Sequence, residues 1–357
     1  MVDARLRVLV LGDSRSFHIE RYMAELTRQG VIAELVSVEE GDIAYTPILC
    51  PRFPFGLFYL AAAQRLKTIM RRFKPDVINP HFVSGYGFLA AVAKARRFAP
   101  VLLHCWGSDI LIVPEKSTVH RWKTRKALRE SDFVTGDSEY ILRAAEALAP
   151  LPPKEPIPWG IECKYLDLHR ERYQLGKPLR VIVPRHHEPV YNNQFLLNAL
   201  EPLIVDGKLH LTFPSWGSLA GRFHSLAAKH GDSVQLYDTM PRDAFLAFMA
   251  QHDVYLSGAW SDSSPVSLIE AMALGLIPIA PDIEGNREWL TADSGYAYPL
   301  DVAARLRSIV ESIIDTNDEH RRMRESNLAR VKETAVFEDN IARIIDIMHG
   351  LVRERRQ

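Results

Sequence analysis

Short apolar runs alternate with amphipathic segments along most of the chain. Residues 6–12 are mainly apolar, and from residue 18 to residue 28 apolar side chains recur at the spacing of one helix face. Gly30 is a suitable end for that helix, and residues 31–38 form the next apolar run. This strand–helix–strand order predicts a parallel β-sheet.

The alternation repeats in two series, one on each side of a proline-rich segment. The first series predicts strands at 76–78, 100–105 and 133–135 and helices at 85–98, 116–129 and 139–148. The second predicts strands at 179–183, 209–213, 234–237, 254–256 and 277–280, with helices between them. Four prolines in residues 149–156 predict a loop near a domain boundary. We therefore expect an α/β protein with two Rossmann-like parallel-sheet domains facing a cleft, and ligands at the carboxyl ends of the strands.

Charge and composition narrow the class of protein. The chain has 357 residues with 44 basic and 44 acidic side chains, and this balance argues against a nucleic-acid partner. Residues 1–165 carry 23 basic and 18 acidic side chains, so the first half is positive. Three cysteines without a Cys-x-x-Cys pair argue against a disulfide framework and a zinc site. The sparse cysteines also predict a reducing, cytoplasmic location. No apolar run approaches the ~20 residues of a membrane span, which argues against an integral membrane protein and leaves peripheral membrane association open.

The clearest candidate chemistry follows the predicted strand at 254–256. Ser264 is a suitable N-cap and Pro265 a suitable first residue for a helix over 265–274. The free amides near Val266 and Ser267, together with the helix dipole, favour a phosphate group.

Two carboxylates flank this helix start. Glu270 can accept two hydrogen bonds, as a ribose diol requires, and Asp262, followed by Ser263, could hold other hydroxyl groups. The alternative interpretation is that Asp262 and Ser263 are turn residues and Glu270 a solvated helix residue.

This segment resembles the carboxyl-terminal pattern of glycosyltransferase family 4. That pattern has an acidic residue, seven further residues, a glutamate and an Ala-Met-Ala-x-Gly turn. Asp262 and Glu270 have the spacing, with Asp in place of the usual Glu. Further matches follow along nearly the whole chain, most similar to a branch with a Trp-Gly-Ser-Asp element: Trp106-Gly107-Ser108-Asp109, Gly136-Asp137-Ser138, Pro158-Trp159-Gly160-Ile161-Glu162, Pro278, Gly285-Asn286 and Glu288-Trp289.

The resemblance implies the GT-B fold and transfer of a sugar from a nucleoside-diphosphate sugar to an acceptor hydroxyl with retained configuration. The catalytic residues would be Asp262, Arg185 and Glu270. The donor-binding residues would be Ser263, Ser264, Pro265, Val266, Ser267, Glu270, Gly285 and Asn286. The phosphate contacts would come from Arg185, His186 and Asn192. No cofactor is expected beyond the nucleotide sugar as co-substrate, and the lack of an Asp-x-Asp pair is consistent with a metal-independent enzyme.

The resemblance also implies an acceptor site in the first domain. Its candidate residues mostly follow predicted strands: Gly12, Ser14, Arg15, His18, His81, His104, Trp106 and Asp109. Two departures from the family concern the sugar and pyrophosphate contacts. Trp106 stands where many members have His, and no lysine follows Arg185 at the usual spacing.

A basic stretch at residues 65–74, with Arg121, Lys123, Arg125 and Lys126, accounts for the positive first half. One interpretation is peripheral contact with an anionic membrane, or binding of an anionic or lipid-linked acceptor. The plainer one is two solvated helix faces.

The predicted organisation is an acceptor-binding domain over 1–165, a nucleotide-sugar-binding domain over 166–334 and a helix over 335–357 that crosses back to the first domain. The leading hypothesis is a retaining glycosyltransferase in bacterial glycan, glycolipid or glycosylated-metabolite biosynthesis. The alternatives are a non-catalytic nucleotide-sugar-binding protein on the same fold, a two-lobed solute-binding protein, and another GT-B enzyme such as a nucleotide-sugar 2-epimerase.

Overall fold

A computed structural model describes residues 5–48, 57–169, 175–315 and 319–357. The chain folds into two units, one of Met1–Ile157 with Glu338–Gln357 and one of Pro158–Phe337. Each unit has parallel β-structure and its own hydrophobic core, which confirms the predicted α/β fold class.

The first unit alternates strands and helices from its start. Its strands are β1 (Arg7–Leu11), β2 (Ile32–Ser37), β3 (Thr46–Pro47), β4 (Val77–Pro80), β5 (Leu102–Cys105), β6 (Phe133–Gly136) and β7 (Lys154–Pro156). The α-helices between them are α1 (Phe17–Arg28), α2 (Leu57–Phe73), α3 (Phe88–Val92), α4 (Ser108–Leu111), α5 (Thr118–Arg129) and α6 (Glu139–Leu148). Shorter turns are a π-helical turn at Phe82–Gly87 and 3₁₀ turns at Ala95–Arg97 and Val113–Lys116.

The strand order of the first unit contains one reversal. The strands are parallel, in the orders β3-β2-β1-β4 and β5-β6-β7, and isolated bridges from Ile78 to Val101 and from His81 to His104 join β4 to β5. The chain runs outward from β1 through β2 to β3 and returns to the other side of β1 with β4. The position between β1 and β4 is the switch point, and ligands of such sheets bind there, at the carboxyl ends of the strands.

Central strands of this sheet are buried on both faces. Val8, Leu9, Val10 and Leu11 of β1 are each inaccessible to solvent. A continuous apolar run is what a parallel strand needs when helices cover both sides of its sheet.

Two local predictions for the first unit are wrong. The predicted helix at 85–98 is a π-helical turn followed by the short α3, and Lys94, with φ of 56°, interrupts the helical path after it. The proline-rich segment at 149–156 is not only a loop, because Lys154–Pro156 pairs with β6 as an edge strand. Proline is tolerated at an edge because no further strand needs its missing N–H.

The second unit repeats the alternation of strands and helices. Its strands are β8 (Leu179–Ile182), β9 (Leu209–Pro214), β10 (Val234–Tyr237), β11 (Val254–Leu256), β12 (Ile277–Pro281) and β13 (Tyr296–Tyr298). Its α-helices are α7 (Asn193–Val205), α8 (Ala220–Ala227), α9 (Arg242–Met249), α10 (Val266–Leu274), α11 (Glu284–Arg287), α12 (Ala303–Asp315) and α13 (Glu319–Thr334). Further 3₁₀ turns lie at Cys163–Leu168, Pro189–Tyr191 and Ala228–Ser233.

The second sheet has the order β10-β9-β8-β11-β12-β13 with all neighbours parallel. Its switch point therefore lies between β8 and β11, as that of the first sheet lies between β1 and β4. Helix α10 follows β11 and is buried from Ser267 to Leu274, on all its faces. A helix with so little solvent contact can hold its amino end in a fixed position beside the sheet.

The last helix, α14 (Phe337–Arg356), joins the first unit from Glu338 onward. Gln29 Nε2 donates to the Glu338 carbonyl at 2.9 Å, and Arg355 Nη1 donates to the Arg96 carbonyl at 2.8 Å. Within the described ranges, none of the helices has the length and apolar character that crossing a bilayer requires.

Candidate active site

Arg185 and Asp262 meet at the switch point of the second sheet. Arg185 follows β8, Asp262 follows β11, and Arg185 Nη2 donates to Asp262 Oδ2 at 2.5 Å. Burial lowers the pKa of Arg185 and the Asp262 carboxylate raises it, with a net upward shift, so the guanidinium stays charged. The Nε of Arg185 is buried and has no hydrogen-bond partner among the described residues. A guanidinium that stays charged beside a switch point is a candidate donor to an anionic ligand.

The start of α10 differs by one residue from the prediction. Pro265, rather than Ser264, occupies the N-cap, and the helix begins at Val266. Ser264 precedes the N-cap with φ of 38°, and its hydroxyl accepts a hydrogen bond from Trp289 Nε1 at 3.3 Å. The first amides of α10, at Val266 and Ser267, have no acceptor within the helix. Anion binding by these amides stays a prediction.

Glu270 lies in the second turn of α10, with 5% of its side chain exposed. Arg242 Nη1 donates to Glu270 Oε1 at 2.7 Å, while its Nε and Nη2 donate to Glu162 at 3.0 and 2.6 Å. Burial lowers the pKa of Arg242 and the two carboxylates raise it, with a net upward shift. The alternative of a solvated helix residue is wrong, because Glu270 is buried and ion-paired.

The segment at 285–286 packs directly against the 262–263 turn. A Cβ atom on Gly285 would lie 2.0 Å from the Asp262 carbonyl oxygen, so only glycine fits there. Asn286 is buried, and its Nδ2 donates to the Pro281 carbonyl at 2.8 Å. Asn286 thus holds its own loop in place. In the 262–263 turn, Ser263 N donates to the side chain of the preceding residue, Asp262 Oδ1, at 3.0 Å.

The remaining phosphate candidates lie after β8. His186 is half-buried, and the centroid of its ring lies 5.0 Å from that of Tyr191. Asn192 has φ of 51°, and its Nδ2 donates to Asp301 Oδ1 at 3.3 Å. His187 is buried against Phe223, with ring centroids 3.9 Å apart. Of the two histidines, His186 has the more accessible ring.

In the first unit the structure brings four of the predicted acceptor residues together: His18, His81, His104 and Trp106. The ring centroids of His81 and His104 are 5.2 Å apart, and the Trp106 ring lies 6.0 Å from His81 and 5.6 Å from His18. Trp106 Nε1 donates to His81 Nδ1 at 3.3 Å, so the proton of a neutral His81 lies on Nε2. Asn79 Oδ1 accepts from that Nε2 at 3.0 Å. Burial, and then the neighbouring His104, lower the pKa of His81 well below its usual value.

His104 is held by residues at the end of β6. Its Nε2 donates to Asp137 Oδ1 at 3.1 Å, and its Nδ1 lies 2.7 Å from Thr135 Oγ1. Both ring nitrogens are therefore engaged within the unit.

Asp109 fixes backbone and is fully buried. Its Oδ2 accepts from Val83 N at 2.7 Å and its Oδ1 from Trp106 N at 3.0 Å. Burial raises the pKa of Asp109 to about 6. Its carboxylate faces backbone amides, so a direct acceptor contact by Asp109, as predicted, has no support in this geometry.

The predicted residues after β1 have different surroundings. A Cβ on Gly12 would lie 2.8 Å from Ile19, and Ser14 is buried with its hydroxyl donating to the Glu39 carbonyl at 2.6 Å. Arg15 is exposed and donates from Nε and Nη2 to Asp13 at 3.0 and 2.8 Å. Arg15 is thus paired at the surface, and Ser14 shapes the loop.

A cavity of about 830 Å³ opens at the switch point of the first sheet. Residues after β1, β2, β4 and β5 line it, together with Phe58 and Tyr59 of α2 and Lys123 of α5. His81 and Trp106 are the predicted acceptor residues that reach it. Its position agrees with the rule that ligands bind at the carboxyl ends of strands.

Two functional candidates were missed in the sequence. Arg242 is the first residue of α9, where the helix dipole disfavours a cation, so a buried anionic partner is a reasonable inference from that position. Asp137 belongs to a matched strand end, but its pairing with His104 depends on the parallel neighbours β5 and β6. In the described part of the chain, no three His, Cys, Asp or Glu side chains converge as metal ligands do.

The fold places the chain in a class. It is similar to a glycosyltransferase of Rickettsia africae ESF-5, with a TM-score of 0.80 and 15% identity over 98% of this chain and 99% of that one. It is also similar to Anabaena Alr3699/HepE, solved with UDP, with a TM-score of 0.78 and 15% identity over 98% and 100% of the two chains. These likenesses establish a two-domain α/β fold of the GT-B type.

Sequence comparison identifies the family. Residues 7–138 match the model described as glycosyl transferase 4-like, and residues 177–315 match glycosyl transferases group 1. The chain is 25% identical over 241 residues to TuaC of Bacillus subtilis (strain 168), named as a putative teichuronic acid biosynthesis glycosyltransferase. That match covers 63% of this chain and 58% of the relative's length. The chain belongs to the GT4-like glycosyltransferases.

Proposed function

We propose that this protein transfers a sugar from a nucleoside-diphosphate sugar to an acceptor hydroxyl, with retention and without a metal. The observation that carries the proposal is the cluster at the second switch point, where Arg185, Asp262 and the amino end of α10 lie beside a buried Glu270. These groups are of the types that a nucleotide sugar needs. The arginine and the helix amides would bind the diphosphate, and the carboxylates would bind hydroxyl groups.

Each residue has a distinct part in the proposed reaction. Glu270, oriented by Arg242, holds the ribose diol, and Asp262 holds hydroxyls of the transferred sugar. Arg185 and the amides of Val266 and Ser267 stabilise the charge that develops on the departing diphosphate. The leaving phosphate oxygen takes the acceptor proton, so the proposal needs no strong protein base.

The nucleotide assignment has support from a structural neighbour. Alr3699/HepE of Anabaena has been solved with UDP, with UDP and glucose, and with UDP-glucose. We extend this to the present chain as a proposal, with UDP-sugars as the first donors to test. The acceptor is proposed to bind in the first unit, and the product to be a bacterial glycan, glycolipid or glycosylated metabolite.

A thermal-shift screen with UDP-, GDP- and ADP-glucose tests donor binding, since a ligand at about 100 times its Kd stabilises the folded state by about 2.7 kcal/mol. We expect one nucleotide series to raise Tm and the others not to. Release of the free nucleotide, measured with and without EDTA, then tests transfer or slow hydrolysis and its metal dependence. No Tm shift with any series would contradict the proposal.

A non-catalytic nucleotide-sugar-binding protein is the second candidate. It is favoured by the lack of a lysine after Arg185 and by the pairing of Arg185 with Asp262. Binding of a donor without hydrolysis or transfer to any hydroxyl compound would favour this candidate.

A further inference from the structure

The cavity of the first unit is large and has a mainly apolar wall. Its volume of about 830 Å³ lies in the range of small-molecule sites. Five aromatic side chains line it: Phe58, Tyr59, Phe82, Tyr86 and Trp106. Ile19, Val38 and Ile48 add aliphatic surface. A ligand that fills this volume buries apolar area, and that burial contributes free energy only if the ligand is itself apolar there.

The charged groups of the lining do not form an anion site. Lys123 contributes a cation, while Asp13 and Glu39 contribute carboxylates. The Lys123 ammonium lies 4.4 Å from the ring centroid of Tyr59 and 5.4 Å from that of Phe88, so aromatic faces already hold its charge. Burial also lowers the pKa of Lys123 from its usual value.

Two polar side chains of the cavity lining, His81 and Tyr86, already make hydrogen bonds within the protein. His81 is bonded to Asn79 and Trp106 through its two ring nitrogens. The Tyr86 hydroxyl lies 3.2 Å from Ser37 Oγ and accepts from Val38 N at 3.3 Å. A ligand hydroxyl placed against these two side chains would therefore compete with hydrogen bonds that the protein already makes.

One wall is built at a cost in backbone strain. Phe82 has φ of 75°, a left-handed conformation that is rare for a bulky residue, and it opens a π-helical turn. The buried Asp109 carboxylate accepts from the next amide, that of Val83, at 2.7 Å, and also from the Trp106 amide. One carboxylate thus anchors the backbone beside two aromatic walls. Strain held in this way is common at binding sites.

We infer that this cavity binds the acceptor through an uncharged apolar body, either an aromatic ring or a hydrocarbon chain, attached close to the accepting hydroxyl. This inference rests on the proposed function. It narrows the acceptor that the sequence left open, because it excludes an anionic group as the part held in the cavity.

Three neutral glucosides test the inference by isothermal titration: methyl, n-octyl and 2-naphthyl β-D-glucopyranoside, with n-octyl kept below its micelle concentration. We expect the octyl or the naphthyl compound to bind at least about tenfold more tightly than methyl glucoside, as burial of a few methylene groups would produce. Tighter binding of octyl alone identifies a hydrocarbon chain, and tighter binding of naphthyl alone identifies a ring. A fourth probe, 2-naphthyl β-D-glucuronide, carries the same ring with a carboxylate and should bind no more tightly than the neutral naphthyl compound.

Substitutions locate the binding. Tyr59→Ala and Phe82→Ala should each weaken binding of the preferred apolar glucoside at least about fivefold, the effect expected when one aromatic ring is lost from the contact. Trp122→Ala is the control, since Trp122 is exposed on α5 and outside the cavity lining. Tyr59→Ala does not touch the strained turn, so it tests the inference even if Phe82→Ala fails to fold. Equal affinity for all three neutral glucosides, preference for the glucuronide, or loss of binding in Trp122→Ala alone would overturn the inference.

Titration of UDP in the same samples separates this inference from the proposed function. Binding of UDP without preference for an apolar glucoside overturns the cavity inference and leaves the transferase proposal standing. Preference for an apolar glucoside without binding of any nucleotide supports the cavity assignment as a ligand site and overturns its role as an acceptor site.

Discussion

The switch points of the two sheets share a strand plan but differ in the side chains that follow the strands. In the second unit, charged groups meet in pairs: Arg185 with Asp262, and Arg242 with Glu270. In the first unit, aromatic rings surround a cavity whose histidine, His81, is neutral and hydrogen-bonded. Since the backbone plan is common to both, the difference arises from the residues just beyond the strand ends, where a fold leaves chemistry free to vary.

The two arrangements respond differently to a ligand. A paired charge can exchange its partner for a ligand group, so binding at the second switch point is expected to depend on individual charged residues. In a site with an apolar wall and hydrogen-bonded polar groups, the binding free energy comes mainly from buried apolar area. Several side chains should therefore each contribute a part of the affinity. Substitutions can test this contrast.

Glu270→Ala should have the largest effect on nucleotide binding. Loss of two charge-assisted hydrogen bonds to the ribose, at about 1.5 kcal/mol each, predicts a loss of about 3 kcal/mol, or about 150-fold in Kd for UDP. Turnover of the donor should fall with it. Titration of UDP measures the effect, with Glu284→Ala, an exposed carboxylate in the same unit, as the matched control. Unchanged Kd and turnover would remove Glu270 from the site.

Arg185→Gln should separate phosphate from nucleoside. We expect about 30-fold weaker binding of UDP, corresponding to about 2 kcal/mol for a charge-assisted contact, and little change for uridine. Arg287→Gln, an exposed arginine paired with Asp282 and Glu284, is the control. An equal loss for UDP and uridine would argue against a phosphate contact.

Asp109 predicts a pH dependence of stability in the first unit. Burial raises its pKa from 3.8 to about 6, so between these values the folded state binds more protons and stability from this group falls as pH rises. Between pH 4.5 and 7.5 the free energy of unfolding of the wild type should fall by about 2 kcal/mol relative to Asp109→Asn. Urea unfolding of both proteins at both pH values measures this difference in the free energy of unfolding. The other carboxylates are common to both proteins, so their contributions cancel. A difference that is constant with pH would be evidence against a buried carboxylate at this position.

Arg242→Gln should act through Glu270 and so affect UDP and uridine alike. We expect about tenfold weaker binding of both, equivalent to about 1.4 kcal/mol. Arg242→Lys should recover part of that affinity if charge is what orients Glu270. A selective loss for UDP would instead assign Arg242 to the phosphate, and the contrast with Arg185 would fail.

The sequence predicted the second switch point better than the first. Asp262 and Glu270 are eight residues apart on a turn and a helix, so local spacing alone places them near the same strand end. The Arg242–Glu270 pair joins residues 28 positions apart, and it depends on how α9 and α10 pack. Sequence spacing carries no signal for such a pair.

In the first unit the histidines and Trp106 could be expected at strand ends, but the walls of the cavity could not. Beside the left-handed Phe82, the Val83 amide in the π-helical turn donates to Asp109, 26 residues away. The helical pattern over 85–98 predicted a regular helix and carried no signal for this long-range contact. Similarly, Ser264 has the residue type of an N-cap, but Pro265 occupies that position.

The smallest effect is expected for membrane binding by the basic face of α5, which lies outside the cavity. On α5, Arg121 is paired with Glu115, Lys126 lies 3.8 Å from Glu130, and Arg125 donates to the Leu148 carbonyl. These partners favour the interpretation of a solvated helix face over a membrane contact, because exposed cations already paired gain little from a lipid surface.

Co-sedimentation with phosphatidylcholine vesicles, with and without phosphatidylglycerol, tests that interpretation. At physiological salt we expect anionic lipid to raise the bound fraction by less than about threefold, the increase expected from less than one free basic side chain. Strong binding that Trp122→Ala and Arg125→Ala both reduce would instead make α5 a membrane contact. The contrast between a charged second switch point and an apolar first one would then extend to a lipid-bound acceptor, since a hydrocarbon chain in the cavity and a cationic helix at the bilayer surface would act on the same molecule.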